Sequence, residues 1–264
     1  MNIQYVCQCF LFNSIFVVYA IKNGREPSVG KYPHLLSLQE EVFLVNSLHV
    51  CSAVLIHPQW ALSSAHCFRE SESNMYHVMS GVHQLLDNLG EEWEQDIEVS
   101  NYTLHKDYIG GGANNHDIAI IRLAIPARID NYTTPVVLPP LGTSEQYVGR
   151  NCSMVGWGDG DNGATGLIHE GYSAPMTSQQ CDQQWTNLNI REWHLCTGGD
   201  NTTAYPCSGD GGSPLTCPDD SGNLVLAGLG SFTPYPCSFY PPAVFTRITY
   251  YRDWICDVTY RDVC

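Results

Sequence analysis

The 264 residues carry 12 basic and 27 acidic side chains, a net charge of −15 with histidine neutral. That balance excludes nucleic acid and an anionic membrane surface as partners, because both repel a strongly acidic protein. The length suits one large all-β unit or two small domains, and it is enough to bury a core without metal or partner.

The chain opens on an apolar run, Phe10 to Tyr19, and Val18 and Ala20 put small residues where a signal peptidase reads. The run is too short for a good transmembrane span, so residues 1–20 are expected to be a signal peptide and the product secreted and extracellular. The start lacks Lys and Arg, and a buried N-terminal segment is the alternative. Cleavage after Ala20 removes Cys7 and Cys9, leaves ten cysteines and makes Ile21 the new N-terminus. An even cysteine count in an exported chain implies disulfides. A zinc site would need paired Cys-x-x-Cys or His-x-x-x-His spacing, which does not occur, so no metal or other cofactor is expected.

Short runs rich in Val, Ile, Leu and aromatics follow between Gly, Pro and Asn turns: Val50 to Ile56, Ile118 to Leu123, Leu224 to Leu229. They favour a sandwich or barrel over alternating strands and helices. Glu94, Asp96 and Glu98 alternate with Trp93, Gln95, Ile97 and Val99, which places the acids on one face of a strand. That face is either plainly solvated or a seat for a basic partner or cation. A linker rich in Pro and Thr runs near Ile129–Pro140, and no internal repeat or low-complexity tract occurs. Tyr251, Trp254, Ile255 and Val258 fall on one face of a terminal helix. Four sequons begin at Asn101, Asn131, Asn151 and Asn201, several of which are expected to carry glycans on exposed turns. Asn151 is the least suited, because its neighbour Cys152 is expected in a disulfide.

Three ordered motifs carry the chemistry. Trp60 to Cys67 resembles the W-x-L-T-A-A-H-C segment of trypsin- and chymotrypsin-like serine proteases, and Asp117 to Leu123 resembles their D-I-A-L-x-x-L segment. Cys207 to Leu215 resembles their C-x-G-D-S-G-G-P-L loop. Gly156-Trp157-Gly158 and the tail Tyr250 to Ile255 match in order as well, so the resemblance spans about Ile21 to Ile255. It implies an all-β, chymotrypsin-like fold of two packed six-stranded antiparallel β-barrels with a C-terminal α-helix. The signal peptide at 1–20 would precede one protease-homologue domain at 21–264, with barrel 1 at about 21–130, barrel 2 at about 131–248 and the helix and tail at about 249–264.

The resemblance also implies roles, and here the chain departs from it. His66 falls at the general base and Asp117 at the residue orienting it, but Gly211 stands at the nucleophile and Ser213 stands two residues later, where the family has glycine. A triad without an oxygen opposite the base cannot perform acyl transfer. The backbone N–H groups of Gly209 and Gly211 would still form an oxyanion hole, since they need no side chain. Ser213 is expected to hydrogen-bond within its loop, and His66 and Asp117 to persist as a satisfied structural pair. Tyr205 falls at the floor of the specificity pocket and Thr233 and Ala243 at its walls, so the pocket is expected to be narrowed or filled; an outward-swung Tyr205 is the alternative. The α-amine of Ile21 is expected beside Asp210. The implied disulfides are Cys51–Cys67, Cys152–Cys217, Cys181–Cys196 and Cys207–Cys237, with Cys256 and Cys264 left to pair. The calcium-loop pattern of some relatives is incomplete, with Val82 at one acid position although Glu92 matches another.

The expectation is a monomeric, secreted serine protease homologue without peptidase activity, with protein partners such as a protease inhibitor, a protease or a receptor. The alternative is an active endopeptidase using Ser213 with a preference for small or apolar residues. A third class is a structural or storage glycoprotein.

Overall fold

The computed structural model describes residues 21–42, 45–68, 75–85, 90–110, 115–158, 166–186, 188–234 and 237–264. The expected signal peptide and its two cysteines lie outside these described residues. Six strands, β1 (Leu35–Val42), β2 (Val45–His57), β3 (Trp60–Ser63), β4 (Tyr76–Ser80), β5 (Gln95–Leu104) and β6 (Ala119–Leu123), close an antiparallel barrel in the order β1-β2-β3-β6-β5-β4. The second sheet holds β7 (Cys152–Gly156), β8 (His169–Ser173), β9 (Pro175–Met176), β10 (His194–Thr197), β11 (Pro214–Pro218), β12 (Leu224–Phe232) and β13 (Ala243–Arg247). Its order is β8-β7-β11-β12-β13-β10-β9, seven strands where six were expected. The extra strand is the short β9, which pairs with β10. Ala174 alone separates β8 from β9, yet these two stand at opposite ends of the order, so one stretch bends around to close the sheet into a barrel-like form.

Strand sequences follow what their faces meet. In β2, Ala53 and Leu55 point into the first barrel's core, while Val54 and Ile56 pack outward against the terminal helix. β6 does the same, with Ile121 and Leu123 inside and Ile120 outside. Both faces are buried over Ala53–Ile56 and Ala119–Ile121, so these stretches read as short apolar runs. β5 is different: Ile97 and Val99 are buried and Asp96 and Glu98 exposed, so its sequence alternates. Each large aliphatic side chain withdrawn from water contributes about 1.5–3 kcal/mol.

Two α-helices occur among the described residues. α1 (Ser178–Gln184) begins with a capping box between Thr177 and Gln180, which satisfies two otherwise unpaired backbone donors. α2 (Ile248–Val258) lays Ile248, Tyr251 and Ile255 against Val54, Leu62 and Ile120 of the first barrel and Leu229 of the second. Trp254 and Val258 are half-buried at the edge of the same cluster. The linker is stitched to both barrels: Val136 N donates to the Leu55 carbonyl and Leu226 N to the Val137 carbonyl, each at 2.9 Å.

The first residues belong with the second barrel, not with the first as the simple division at about 130 has it. Lys22 N donates to the Tyr205 carbonyl at 2.9 Å and Arg25 N to the Glu170 carbonyl at 2.9 Å. Ile21 is fully buried in the second core. The buried Glu170 carboxylate fastens this segment, bound by Arg25 Nε at 3.0 Å and also by Lys31 and the Tyr32 hydroxyl.

Among the described residues five disulfides join Cys51–Cys67, Cys152–Cys217, Cys181–Cys196, Cys207–Cys237 and Cys256–Cys264. Among the described residues no helix is long and apolar enough to cross a membrane.

Candidate active-site cleft

His66 lies in a single 3₁₀ turn, Ala65–Cys67, directly after β3. The Cys51–Cys67 disulfide ties that turn to β2. Asp117 immediately precedes Ile118 and β6, the strand paired with β3, so the two residues meet at the end of the same strand pair. Nδ1 of His66 lies 2.8 Å from Oδ2 of Asp117, and the His66 backbone N donates to Oδ1 at 2.9 Å. The Ser231 hydroxyl donates to Oδ2 at 2.5 Å, and Thr246 Oγ1 donates to the Asp117 carbonyl at 2.7 Å. Facing a carboxylate, Nδ1 carries the proton and Nε2 points away as the basic nitrogen. Burial opposes a charged imidazole here, but the Asp117 hydrogen bond and charge outweigh it and hold the His66 pKa above its usual value.

The loop at 207–215 enters from the second barrel. The Gly211 carbonyl accepts from Ser52 N at 2.8 Å, which pins the loop to β2. A Cβ added at Gly211 would stand 2.6 Å from His66 Nε2 and 3.1 Å from Cys51 Sγ. The side-chain direction at 211 thus aims straight at the imidazole. Gly212 has φ +72°, and a Cβ there would meet the Ser52 carbonyl oxygen at 2.1 Å, so this position requires glycine. Asp210 is buried, with Oδ1 accepting from Gly158 N at 2.9 Å and Oδ2 from Cys207 N at 2.8 Å.

The family model described as Trypsin matches residues 21–255. The chain belongs to the trypsin family. It is also similar to "Fibrinolytic enzyme, isozyme C" of Lumbricus rubellus, 32% identical over an alignment of 248 residues that covers 89% of this chain and 98% of the relative.

In this trypsin-family chain the cleft around Gly211 measures about 110 Å³, with His66, Gly209, Ser231, Phe232 and Thr233 among its walls. Tyr205 and Ala243 are not part of its surface: both are fully buried in the second core. The Tyr205 ring is turned inward, edge-on to Phe239 with centroids 5.8 Å apart, and its hydroxyl donates to the Pro241 carbonyl at 3.2 Å. Burial pushes the pKa of that phenol up.

Ser213 departs from expectation. Its hydroxyl is buried and makes no hydrogen bond. It lies against β12, where a Cβ on Gly230 would come within 2.8 Å of its Oγ. The backbone, not the hydroxyl, holds this residue: Ser213 N donates to the Asp210 carbonyl at 3.1 Å and Gly230 N to the Ser213 carbonyl at 2.8 Å.

Other sequence-derived sites are spread over the surface. Asn101, Asn131, Asn151 and Asn201 are all exposed. Asp96 is paired with His77 across β4 and β5. Val82 is buried and Glu92 exposed. Among the described residues the clustered side chains with metal-holding geometry are Cys51, His66 and Cys67, whose two sulfurs are joined to each other.

Sequence reading missed the hydroxyls on Asp117. Neither Ser231 nor Thr246 stands close to Asp117 in the sequence, and no local pattern marks them as its partners. It also missed His49, whose Nδ1 lies 2.7 Å from Ser37 Oγ and whose pKa burial lowers to about 4, against a smaller opposing hydrogen bond to the Gly209 backbone.

Proposed function

We propose that this chain is a secreted, non-catalytic trypsin-family homologue that acts by binding another protein. The observation that carries the reading is Gly211. The backbone there directs its missing side chain at His66 Nε2, and glycine offers no oxygen to attack a carbonyl. In this reading residues 1–20 are removed as a signal peptide and residues 21–264 form the working domain. His66 and Asp117 are a retained pair, and Gly209 and Gly211 keep a hole of backbone donors. The Ile21 amine, once freed, pairs with Asp210, both groups being buried. The inward Tyr205 removes the pocket floor as a recognition element, leaving Thr233 at a shallow slot that an inhibitor's or receptor's loop can cover.

The likeness to a protein named as a fibrinolytic enzyme favours a second reading, an active endopeptidase with Ser213 as nucleophile. The buried Ser213 hydroxyl, packed under β12, speaks against it. A fluorophosphonate probe decides between the two. The native protein should remain unlabelled, and an adduct mapped to Ser213 would overturn the proposal. A pull-down from the native fluid then identifies the partner.

A further inference from the structure

A second concavity lies on the outer face of the first barrel, away from the cleft. Across the sheet, Asn101 on β5 is the register partner of Arg122 on β6, and Arg122 is the partner of Trp60 on β3. The three residues form one row. The end of α2 and the turn after it close one side with Asp257, Val258 and Tyr260, and the enclosed volume is about 260 Å³. At about 30 Å³ per water this is the space of roughly nine waters, the scale of one sugar ring.

The walls have the mixed character that a pyranose needs. Tyr260 is 77% exposed, held out by a left-handed backbone with φ 52°, and its ring centroid lies 6.3 Å from that of Trp60. Trp60 is buried as the floor, its Nε1 donating to Asp262 at 2.8 Å. The Arg122 guanidinium lies over the Trp60 ring at 5.7 Å, and Arg122 and Asp257 are both exposed. An aromatic wall suits the C–H face of a sugar, and a guanidinium and a carboxylate lining the same concavity suit its hydroxyl and acetamido groups.

One occupant is tied to the site by covalent chemistry. Asn101 and Thr103 both line the concavity, and they are the acceptor and hydroxyl residue of the sequon Asn101-Tyr-Thr. Two residues apart on a strand, they share one face. A sugar on Asn101 Nδ2 starts at the rim, so its entry is intramolecular and favoured by a high effective concentration.

We propose that Asn101 carries an N-linked glycan whose first N-acetylhexosamine rests in this concavity, against Tyr260 and between Arg122 and Asp257, fastening β5 to the end of α2. The proposal needs the export included in the proposed function but not the loss of catalysis, so the two fail separately. The test uses the full chain secreted from a eukaryotic host. Glycopeptide mass spectrometry should find Asn101 occupied. Release of that glycan from the folded protein by an amide-cleaving glycosidase should be about 10-fold slower in the wild type than in Tyr260→Asn, a residue that tolerates the left-handed backbone. Asp257→Ala, at an exposed helix position, should also speed release, and it decides the matter if Tyr260→Asn is not secreted. An unoccupied Asn101, or equal release rates in wild type and variants, overturns the proposal.

Discussion

Placing a side chain back at 211 tests the reading of the cleft most directly. A Cβ there stands 2.6 Å from His66 Nε2, whereas ordinary carbon contacts begin near ~3.4 Å, so the imidazole must retreat by about 0.8 Å. The ring is not free to do so. Its Nδ1 is bonded to Asp117 at 2.8 Å, and that carboxylate is itself held by Ser231 and by the His66 backbone. On the other side, Cys51 Sγ at 3.1 Å belongs to a disulfide and cannot yield by rotation. Overpacking of this kind costs about 1–3 kcal/mol. At about 2–4 °C per kcal/mol for a chain of this size, Gly211→Ala and Gly211→Ser should both lower Tm by about 2–12 °C. The hydroxyl is the one difference between the variants. Loss of a triad nucleophile costs on the order of 10⁶ in turnover. Gly211→Ser should therefore regain slow fluorophosphonate labelling and weak turnover, held down by the displaced imidazole and the covered pocket floor, while Gly211→Ala labels not at all. Thermal melts and probe labelling of the three proteins side by side are the assay. Unchanged Tm in both variants, or brisk peptide cleavage by Gly211→Ser, would refute the reasoning.

Three further outcomes are expected. Burial holds His194 at a pKa of about 4, against an ordinary value near 6.5, so between those pH values the unfolded chain takes up a proton that the fold refuses. Stability should fall as pH drops through that window and level off below it, by on the order of 3 kcal/mol for this group. Urea midpoints across pH 7 to pH 4 check this, and His194→Gln should flatten the profile. Glu170→Gln should cost about 1–3 kcal/mol and loosen the 21–25 segment, readable by hydrogen exchange; the estimate is kept low because Lys31 and Arg25 are partly exposed. Burial raises the Glu170 pKa, but Lys31, Tyr32 and Arg25 together lower it below its ordinary value, so its contribution is present above that value and is lost as pH falls through the folded one. Removing Cys152–Cys217 with paired alanines opens a 65-residue loop and should cost about 4 kcal/mol in urea unfolding; an unchanged midpoint would contradict the loop-entropy account.

Order and local period were enough to read a good part of this molecule. His66, Asp117 and the 207–215 loop sit in recognisable segments, and the segments meet at one cleft because the strands that carry them are fixed by their own apolar patterns. The alternation in β5 and the apolar face of α2 were legible for the same reason, since a side chain's face follows from its position along a regular element. Contacts between segments far apart in the chain were not legible. Ser231 and Thr246 reach Asp117 from more than a hundred residues away, Tyr205 turns inward because Phe239 and the Pro241 carbonyl receive it, and residues 21–25 join the second barrel rather than the first. Even the seventh strand depends on a distant partner, since β9 follows β8 after one residue but pairs with β10 at the other end of the sheet order. Periodicity records which way a side chain faces; which distant group it then meets is set by how the two barrels stack, and that is a property of the packed whole.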